Sequence, residues 1–175
     1  MKKSFYLFSL ILMIIGCSEG DIIENNINFT APLQNCSNGD NFVIFKIDSA
    51  INQAISLSFT STAFELNTVP ADITVPLTIQ LNTTTNLLIS RQFDTAINAT
   101  YFCASIPPAN VNVTQELISN NGTLSINYTI ASETDTEIVY DRNFMFSSVT
   151  FEGEDIELRQ EVFNLGTDQF TIPKP

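Results

Sequence analysis

The side chains of this sequence that could do acid–base or metal chemistry are mainly carboxylates. The 175 residues include 19 Asp and Glu, 7 Lys and Arg, and no His. Without His, the chain lacks the commonest general base and the commonest metal ligand. A formal net charge of −12 also repels polyphosphate. We therefore expect neither an enzyme nor a protein that binds nucleic acid.

Two acidic clusters in the C-terminal third contain the candidate metal ligands. These ligands are Glu133, Asp135 and Glu137 in the first cluster, and Glu154 and Asp155 in the second. Carboxylate oxygens are the ligands that Ca²⁺ prefers, so Ca²⁺ is the cofactor to consider. The spacing of an EF-hand is absent, however, and carboxylates two residues apart on a strand share one face. A solvated acidic face is the favoured interpretation, and a surface module that binds Ca²⁺ or carbohydrate is the alternative.

The N-terminus has the pattern of an export signal that ends at a cysteine. Lys2 and Lys3 precede an apolar run, which is too short to cross roughly 30 Å of hydrocarbon as a helix. The last four residues of this segment, Ile14 to Cys17, resemble the lipobox of bacterial lipoproteins. This resemblance implies that residues 1–16 are a signal peptide and that Cys17 is acylated, with palmitate-like chains anchoring the protein in a membrane. An ordinary secretory signal is the alternative.

Residues 17–28 are expected to form the acylated end and a flexible tether. The stretch Ser18-Glu19-Gly20-Asp21 is similar to the acidic surface-export signal of Bacteroidota lipoproteins, although it has only two carboxylates. The resemblance implies an outer-membrane protein of the cell envelope, exposed at the cell surface. A plain polar tether is the alternative.

The remaining cysteines, Cys36 and Cys103, form an even pair in a chain that is expected to be exported. Oxidation is allowed outside the cytoplasm, so a disulfide between them is the default expectation. Closing this loop would stabilise the fold by roughly 4 kcal/mol through the unfolded state. A catalytic thiol is disfavoured because no His is present to activate it.

Alternation of apolar and polar residues predicts β-strands along the rest of the chain. The clearest stretches run from Ile55 to Thr60, from Ile73 to Asn82 and from Leu124 to Ile130. Pro76 cannot donate to a neighbouring strand, so its strand should lie at a sheet edge or carry a bulge. Further candidate strands are Asn41–Ile47, Val113–Ile118, Leu87–Phe93, Ala99–Ser105, Glu137–Phe151 with a break, Ile156–Val162 and Gln169–Ile172.

Turn residues separate these strands and set the fold class. Asn120-Asn121-Gly122 predicts a hairpin between the strands on either side of it. About eight to ten short strands at this spacing indicate a single all-β domain over residues 29–175. An antiparallel β-sandwich is the expected architecture, with a β-barrel as the alternative.

Two short triplets, Asp48-Ser49-Ala50 and Asp94-Thr95-Ala96, resemble the O-glycosylation triplet of exported Bacteroidota proteins. This resemblance implies that Ser49 and Thr95 are sugar acceptors. The alternative is a chance occurrence, because motifs of three residues arise frequently.

The amino-acid sequences of three longer segments resemble those of a family of uncharacterised flavobacterial lipoproteins. The segments are NFVIFKIDSAINQAISLSFTSTAFELN, YFCASIPPANVNVTQELISNNGTLSI and FNLGTDQFTI. The resemblance implies an envelope location and a β fold, and it transfers no catalytic or ligand residue. We therefore expect a non-enzymatic binding or structural module, with a protein or glycan partner that the sequence does not identify.

Overall fold

The structure is a computed structural model that describes residues 30–38, 41–60 and 64–174. The expected signal peptide, Cys17 and the tether lie outside these residues. The described residues form nine strands and one short helix, and no helix among them is long and apolar enough to cross a membrane. The elements are β1 (Gln34–Asn38), β2 (Asn41–Asp48), β3 (Gln53–Thr60), β4 (Leu77–Gln80), β5 (Leu87–Phe93), α1 (Thr100–Cys103), β6 (Val113–Ser119), β7 (Thr123–Glu133), β8 (Glu137–Gly153) and β9 (Ile156–Pro173).

All strand pairs are antiparallel and belong to one sheet, in the order β1-β2-β3-β5-β6-β8-β7-β4, with β9 on β8. The strand predicted over Ile73–Asn82 is shorter in the structure, because β4 covers only Leu77–Gln80 and Pro76 precedes it. Strand β4 lies at one end of the order, so the predicted edge position is confirmed. The described strands leave β1 and β4 as the two ends of the order, so the sheet does not close into the alternative barrel.

One hydrophobic core joins the two halves of this sheet, because the sheet folds over and buries one of its faces against itself. The first half contributes apolar residues from β2, β3 and β5, and the second half contributes them from β7, β8 and β9. Examples are Ile44, Leu57 and Leu88 on one side and Ile126, Phe144 and Phe163 on the other. The prediction of a sandwich-like all-β fold is confirmed.

Strand β8 bends at Ser148 and thereby serves both halves. Its residues 138–147 pair with β7, whereas residues 151–152 pair with β6. Buried side chains occupy even positions before the bend, at Phe144 and Phe146, and odd positions after it, at Val149 and Phe151. Ser148 makes the change with a φ of 55°. The break predicted within this strand is therefore a left-handed residue inside a continuous strand.

The bend predicts that glycine substitutions at two adjacent exposed serines change the free energy of unfolding in opposite directions. A left-handed φ costs an L-residue about 1–2 kcal/mol, whereas glycine adopts it freely. We expect Ser148→Gly to raise the free energy of unfolding by about 0.5–1 kcal/mol. Ser147→Gly, one residue earlier in ordinary strand geometry, should lower it by about 0.5–1 kcal/mol. Urea unfolding of both variants checks this, and a loss of stability in Ser148→Gly would contradict it.

The hairpin predicted at Asn120-Asn121-Gly122 is wrong. Strand β6 pairs with β5 and β8, whereas β7 pairs with β8 and β4, so the turn is a corner between the two halves. Gly122 has a φ of 110°, and a Cβ there would lie 2.8 Å from a methyl of Val149. The glycine is therefore required by a left-handed backbone and by the close approach of β8.

The strand predicted over Ala99–Ser105 is also wrong, because its centre is the helix α1. The backbone N–H of Thr100 donates to Oδ1 of Asn98, which starts a turn. Ile97 and Tyr101 are four residues apart, and both join a small apolar cluster on the outer face of the sheet. Ile97 is buried just before the helix and Tyr101 is partly buried within it, so packing on the sheet decides the local conformation against strand propensity.

The two strands predicted between Ile156 and Ile172 are one continuous strand. Leu165 is an extra residue in β9, because Phe144 pairs with Gly166 and Met145 pairs with Asn164. Gly166 takes a φ of 136° at this bulge. Leu165 and Gly166 therefore form a bulge that keeps both halves of β9 paired with β8.

Candidate functional site

A covering segment, residues 94–112, lies across the outer face of β2, β3 and β5. Its two ends are joined, because the side chain of Asp94 accepts hydrogen bonds from the backbone and side-chain N–H groups of Asn112, at 3.0 and 2.7 Å. These hydrogen bonds lower the pKa of the Asp94 carboxyl below its usual value. The segment is thus a closed loop with a defined base.

Aromatic packing holds the middle of the covering segment on the sheet. The ring of Phe102 stacks on Phe45, with centroids 4.5 Å apart, and Tyr101 meets Phe93 edge to face at 4.9 Å. Ala54 and Ile97 complete this second apolar cluster. The outer face of this half of the sheet is therefore buried under residues 94–112 rather than exposed.

A disulfide joins the covering segment to the edge strand. Cys36 in β1 is bonded to Cys103 at the end of α1, with a Cα–Cα distance of 5.7 Å. This value lies within the normal range for bridged cysteines. The predicted pairing of these two residues is confirmed, and the bridge fixes where the cover stops.

A pocket of about 310 Å³ lies next to this disulfide, where the outer face of the sheet is no longer covered. Four of its lining residues are direct cross-strand neighbours on one face of the sheet, because Cys36 pairs with Val43, Val43 with Ser58, and Ser58 with Leu87. Phe102 lines one side, and the loop before β5 lines another. The pocket therefore has a rigid sheet as its floor and a covalently fixed wall.

The lining of this pocket is polar but uncharged. None of the described residues around it is Asp, Glu, Lys or Arg, although the chain as a whole has a net charge of −12. Hydroxyl and amide side chains alternate there with apolar ones. The polar members are Ser37, Asn41, Ser58, Thr60, Thr84 and Thr85. Sequence reasoning missed this site because it is assembled from five separate segments.

The structure places the two acidic clusters at opposite ends of the β8–β9 hairpin. Glu137 pairs with Pro173 at one end, whereas Gly153 pairs with Ile156 at the other, next to Glu154 and Asp155. Glu133 forms an ion pair of 2.7 Å with Lys174. Within the described residues, no three carboxylate or cysteine side chains come together in a way that could hold a metal ion.

The two candidate sugar acceptors lie at the same end of the sheet. Ser49 is exposed in the turn between β2 and β3, and Thr95 is exposed just after β5. A backbone hydrogen bond of 2.9 Å from Phe93 to Asn52 ties these two regions together. Both hydroxyls are accessible to solvent, and their modification stays a prediction.

A buried ion pair lies inside the core, and sequence reasoning missed it as well. Arg142 on β8 is 1 % exposed and donates to both carboxylate oxygens of Asp168 on β9, at 2.9 and 2.6 Å. Arg142 also donates to the carbonyl of Leu66, and its guanidinium lies 4.2 Å from the ring centre of Phe170. Asn35 of β1 donates to Asp168 at 3.3 Å. The guanidinium of Arg142 and the carboxylate of Asp168 therefore find their charge and hydrogen-bond partners inside the protein, and the ring of Phe170 adds a cation–π contact.

Tyr128 lies beside this ion pair, and its burial gives a prediction for alkaline solution. Burial raises the pKa of its hydroxyl above the ordinary 10.0, with a smaller upward contribution from Asp168 and opposing effects from Arg142. Above pH 10 the unfolded chain loses this proton while the folded chain still holds it, so stability falls as pH rises. We expect Tyr128→Phe to weaken that alkaline loss, measured by urea unfolding at neutral pH and above pH 10. An unchanged pH dependence would contradict this.

The pocket and the buried ion pair differ in what they offer a ligand. The ion pair is buried and its charged groups already bind each other, whereas the pocket is open to solvent and has no charged residue among its described lining residues. The pocket is therefore the better candidate site.

No protein-family model, no curated protein and no solved structure significantly matches this chain.

Proposed function

We propose that this protein is a lipid-anchored envelope protein of bacterial type whose β-sandwich body acts as a binding module rather than as an enzyme. The observation that carries this proposal is the disulfide between Cys36 and Cys103. Disulfides form and persist in oxidising compartments outside the cytoplasm. The disulfide supports the export that the lipobox-like sequence ending at Cys17 implies.

The spacing between the proposed anchor and the body suits an outer-membrane protein that projects from the lipid surface. The expected tether, residues 17–28, separates Cys17 from the domain expected over residues 29–175. Twelve residues reach at most about 40 Å when extended. A body tethered in this way can orient its pocket away from the membrane, toward soluble or surface-bound ligands.

Two features support binding rather than catalysis. The two acidic clusters lie at opposite ends of a long hairpin, and no carboxylate is among the described residues that line the pocket beside the disulfide. The pocket offers hydroxyl, amide and apolar groups, which orient a ligand but do not transfer protons at neutral pH.

The test of the anchor is a comparison of two cysteine variants in the producing cell. Cys17→Ser should abolish labelling by a fatty acid and block removal of residues 1–16, because the thiol is the acylated group. Cys103→Ser is the matched control and should still be acylated, since the anchor lies upstream of the fold. Intact-mass analysis of the wild-type protein should show the acyl chains. A mature protein without lipid, or one that retains residues 1–16, would overturn the anchor.

A further inference from the structure

The pocket beside the disulfide has a composition that selects a chemical class of ligand. An anion would find no Lys or Arg among the described lining residues, and a cation would find no carboxylate there. The overall negative charge of the chain disfavours anions further. The described lining residues therefore favour a neutral ligand.

The polar groups of the lining require a ligand that can both donate and accept hydrogen bonds. Ser and Thr hydroxyls do both, and an Asn amide has donors at one atom and acceptors at the other. Asn41 on β2 pairs with Thr60 on β3, and Ser58 lies two residues before Thr60, so these three polar side chains share the face of the sheet that forms the pocket floor. Several ligand hydroxyls could be paired at once in this arrangement.

The apolar groups of the lining give the ligand a second requirement. Val43 and Leu87 flank Ser58 on the floor, and Phe102 forms part of the wall. Stacking on Phe45 holds the ring of Phe102 in place, so this wall is preorganised. A ligand that matches both kinds of surface has C–H groups as well as hydroxyls, which is the character of a sugar ring.

We propose that this pocket binds a neutral sugar residue, with Ser58 as a hydrogen-bonding group at its floor and Phe102 as its apolar wall. A volume of about 310 Å³ is at the small end of ligand pockets, which suits one ring rather than a long glycan. The inference rests on the proposal that the body is a binding module, but it is independent of the acyl anchor.

The test uses the full chain, purified in a polyoxyethylene detergent so that no sugar headgroup competes. Glucose, galactose and N-acetylglucosamine are titrated separately, and binding is followed by saturation-transfer NMR and calorimetry. Glucuronate serves as the anionic probe, and cyclohexanol serves as the apolar probe. We expect at least one neutral sugar to bind, and glucuronate to bind at least about tenfold more weakly because no cation in the lining compensates its charge.

Variants connect the binding to this pocket. Ser58→Val removes the hydroxyl on the floor and should weaken sugar binding about tenfold or more. Ser125→Ala changes another half-buried strand serine, in β7 and outside the pocket, and should leave the affinity unchanged. Urea unfolding of both variants shows whether they remain folded. A sugar-dependent change in the NMR signals of the Phe102 ring in the wild type gives a measurement that needs no variant.

The outcomes separate this inference from the proposed function. Binding of glucuronate or cyclohexanol in preference to the neutral sugars, with sensitivity to Ser58→Val, would overturn the sugar assignment and keep the binding module. Sugar binding that Ser58→Val does not affect would overturn the assignment to this pocket. Absence of binding for every probe would overturn both the sugar assignment and the use of this pocket by a binding module.

Discussion

Arg142→Met is expected to lower the free energy of unfolding by about 3–5 kcal/mol. The substitution removes the guanidinium but leaves the carboxylate of Asp168 inside the core, where it keeps the hydrogen bond from Asn35 and loses both from Arg142. A buried charge without its partner loses its hydration and gains nothing in return. Methionine keeps much of the apolar volume next to Phe170, so the loss is electrostatic rather than a packing defect.

The double variant Arg142→Met/Asp168→Leu separates the two explanations. Replacing both members removes the unpaired charge, and we expect most of the lost stability to return. Arg159→Met is the matched control, because Arg159 forms an equally short ion pair with Glu157 at 2.6 Å on the surface. Water screens that pair, so its loss should cost less than about 1 kcal/mol. Urea unfolding measures all three. A double variant as unstable as Arg142→Met would show that the pair contributes through packing.

Strand positions were predictable where one face of a strand meets the core and the other meets solvent or a polar cover. The alternation from Ile55 to Thr60 falls within β3, and Leu124, Ile126 and Tyr128 are buried in β7 as their spacing predicts. Pro76 marked an edge because a residue without an N–H cannot take part in a central ladder. These features depend on a few neighbouring residues, which the sequence contains in full.

The connection between the two halves of the sheet was not predictable in the same way. Asn-Gly supplies a positive φ in a hairpin, and it supplies the same φ at the corner between β6 and β7. What distinguishes the two is the pairing of both strands with the distant β8. The bend at Ser148 that allows this double pairing depends on contacts far apart in the chain.

The candidate pocket combines predictable and unpredictable parts. The disulfide that fixes its wall followed from an even number of cysteines in an exported chain, but its floor depends on the register of four strands. The buried Arg142 did leave a trace in the sequence. It occupies the position between Tyr140 and Phe144 in the alternating pattern, where an inward apolar residue is expected. A charged residue at an inward position indicates a buried partner, here Asp168.

Cys36→Ala/Cys103→Ala is expected to lower the free energy of unfolding by about 4 kcal/mol. The bridge joins residues 67 positions apart and closes a large loop in the unfolded chain. Without the bridge, the unfolded chain gains the conformational entropy that closing this loop had removed. Asp94→Ala is the control for the same covering segment, because it removes an exposed clasp at the base of the loop rather than a covalent link. That change should lower the free energy of unfolding much less than removal of the bridge does, because solvent reaches the Asp94 carboxylate.

Hydrogen exchange of the double alanine variant shows whether the disulfide acts on the unfolded chain or on the native covering segment. The covering segment keeps the stacking of Phe102 on Phe45 and the clasp between Asp94 and Asn112, so its native contacts do not depend on the bridge alone. We therefore expect amides of the core strands, which exchange only through global unfolding, to lose protection by the same free energy as urea unfolding measures. Faster exchange confined to residues 94–112 would instead show that the bridge acts locally, as a clamp on the wall of the pocket.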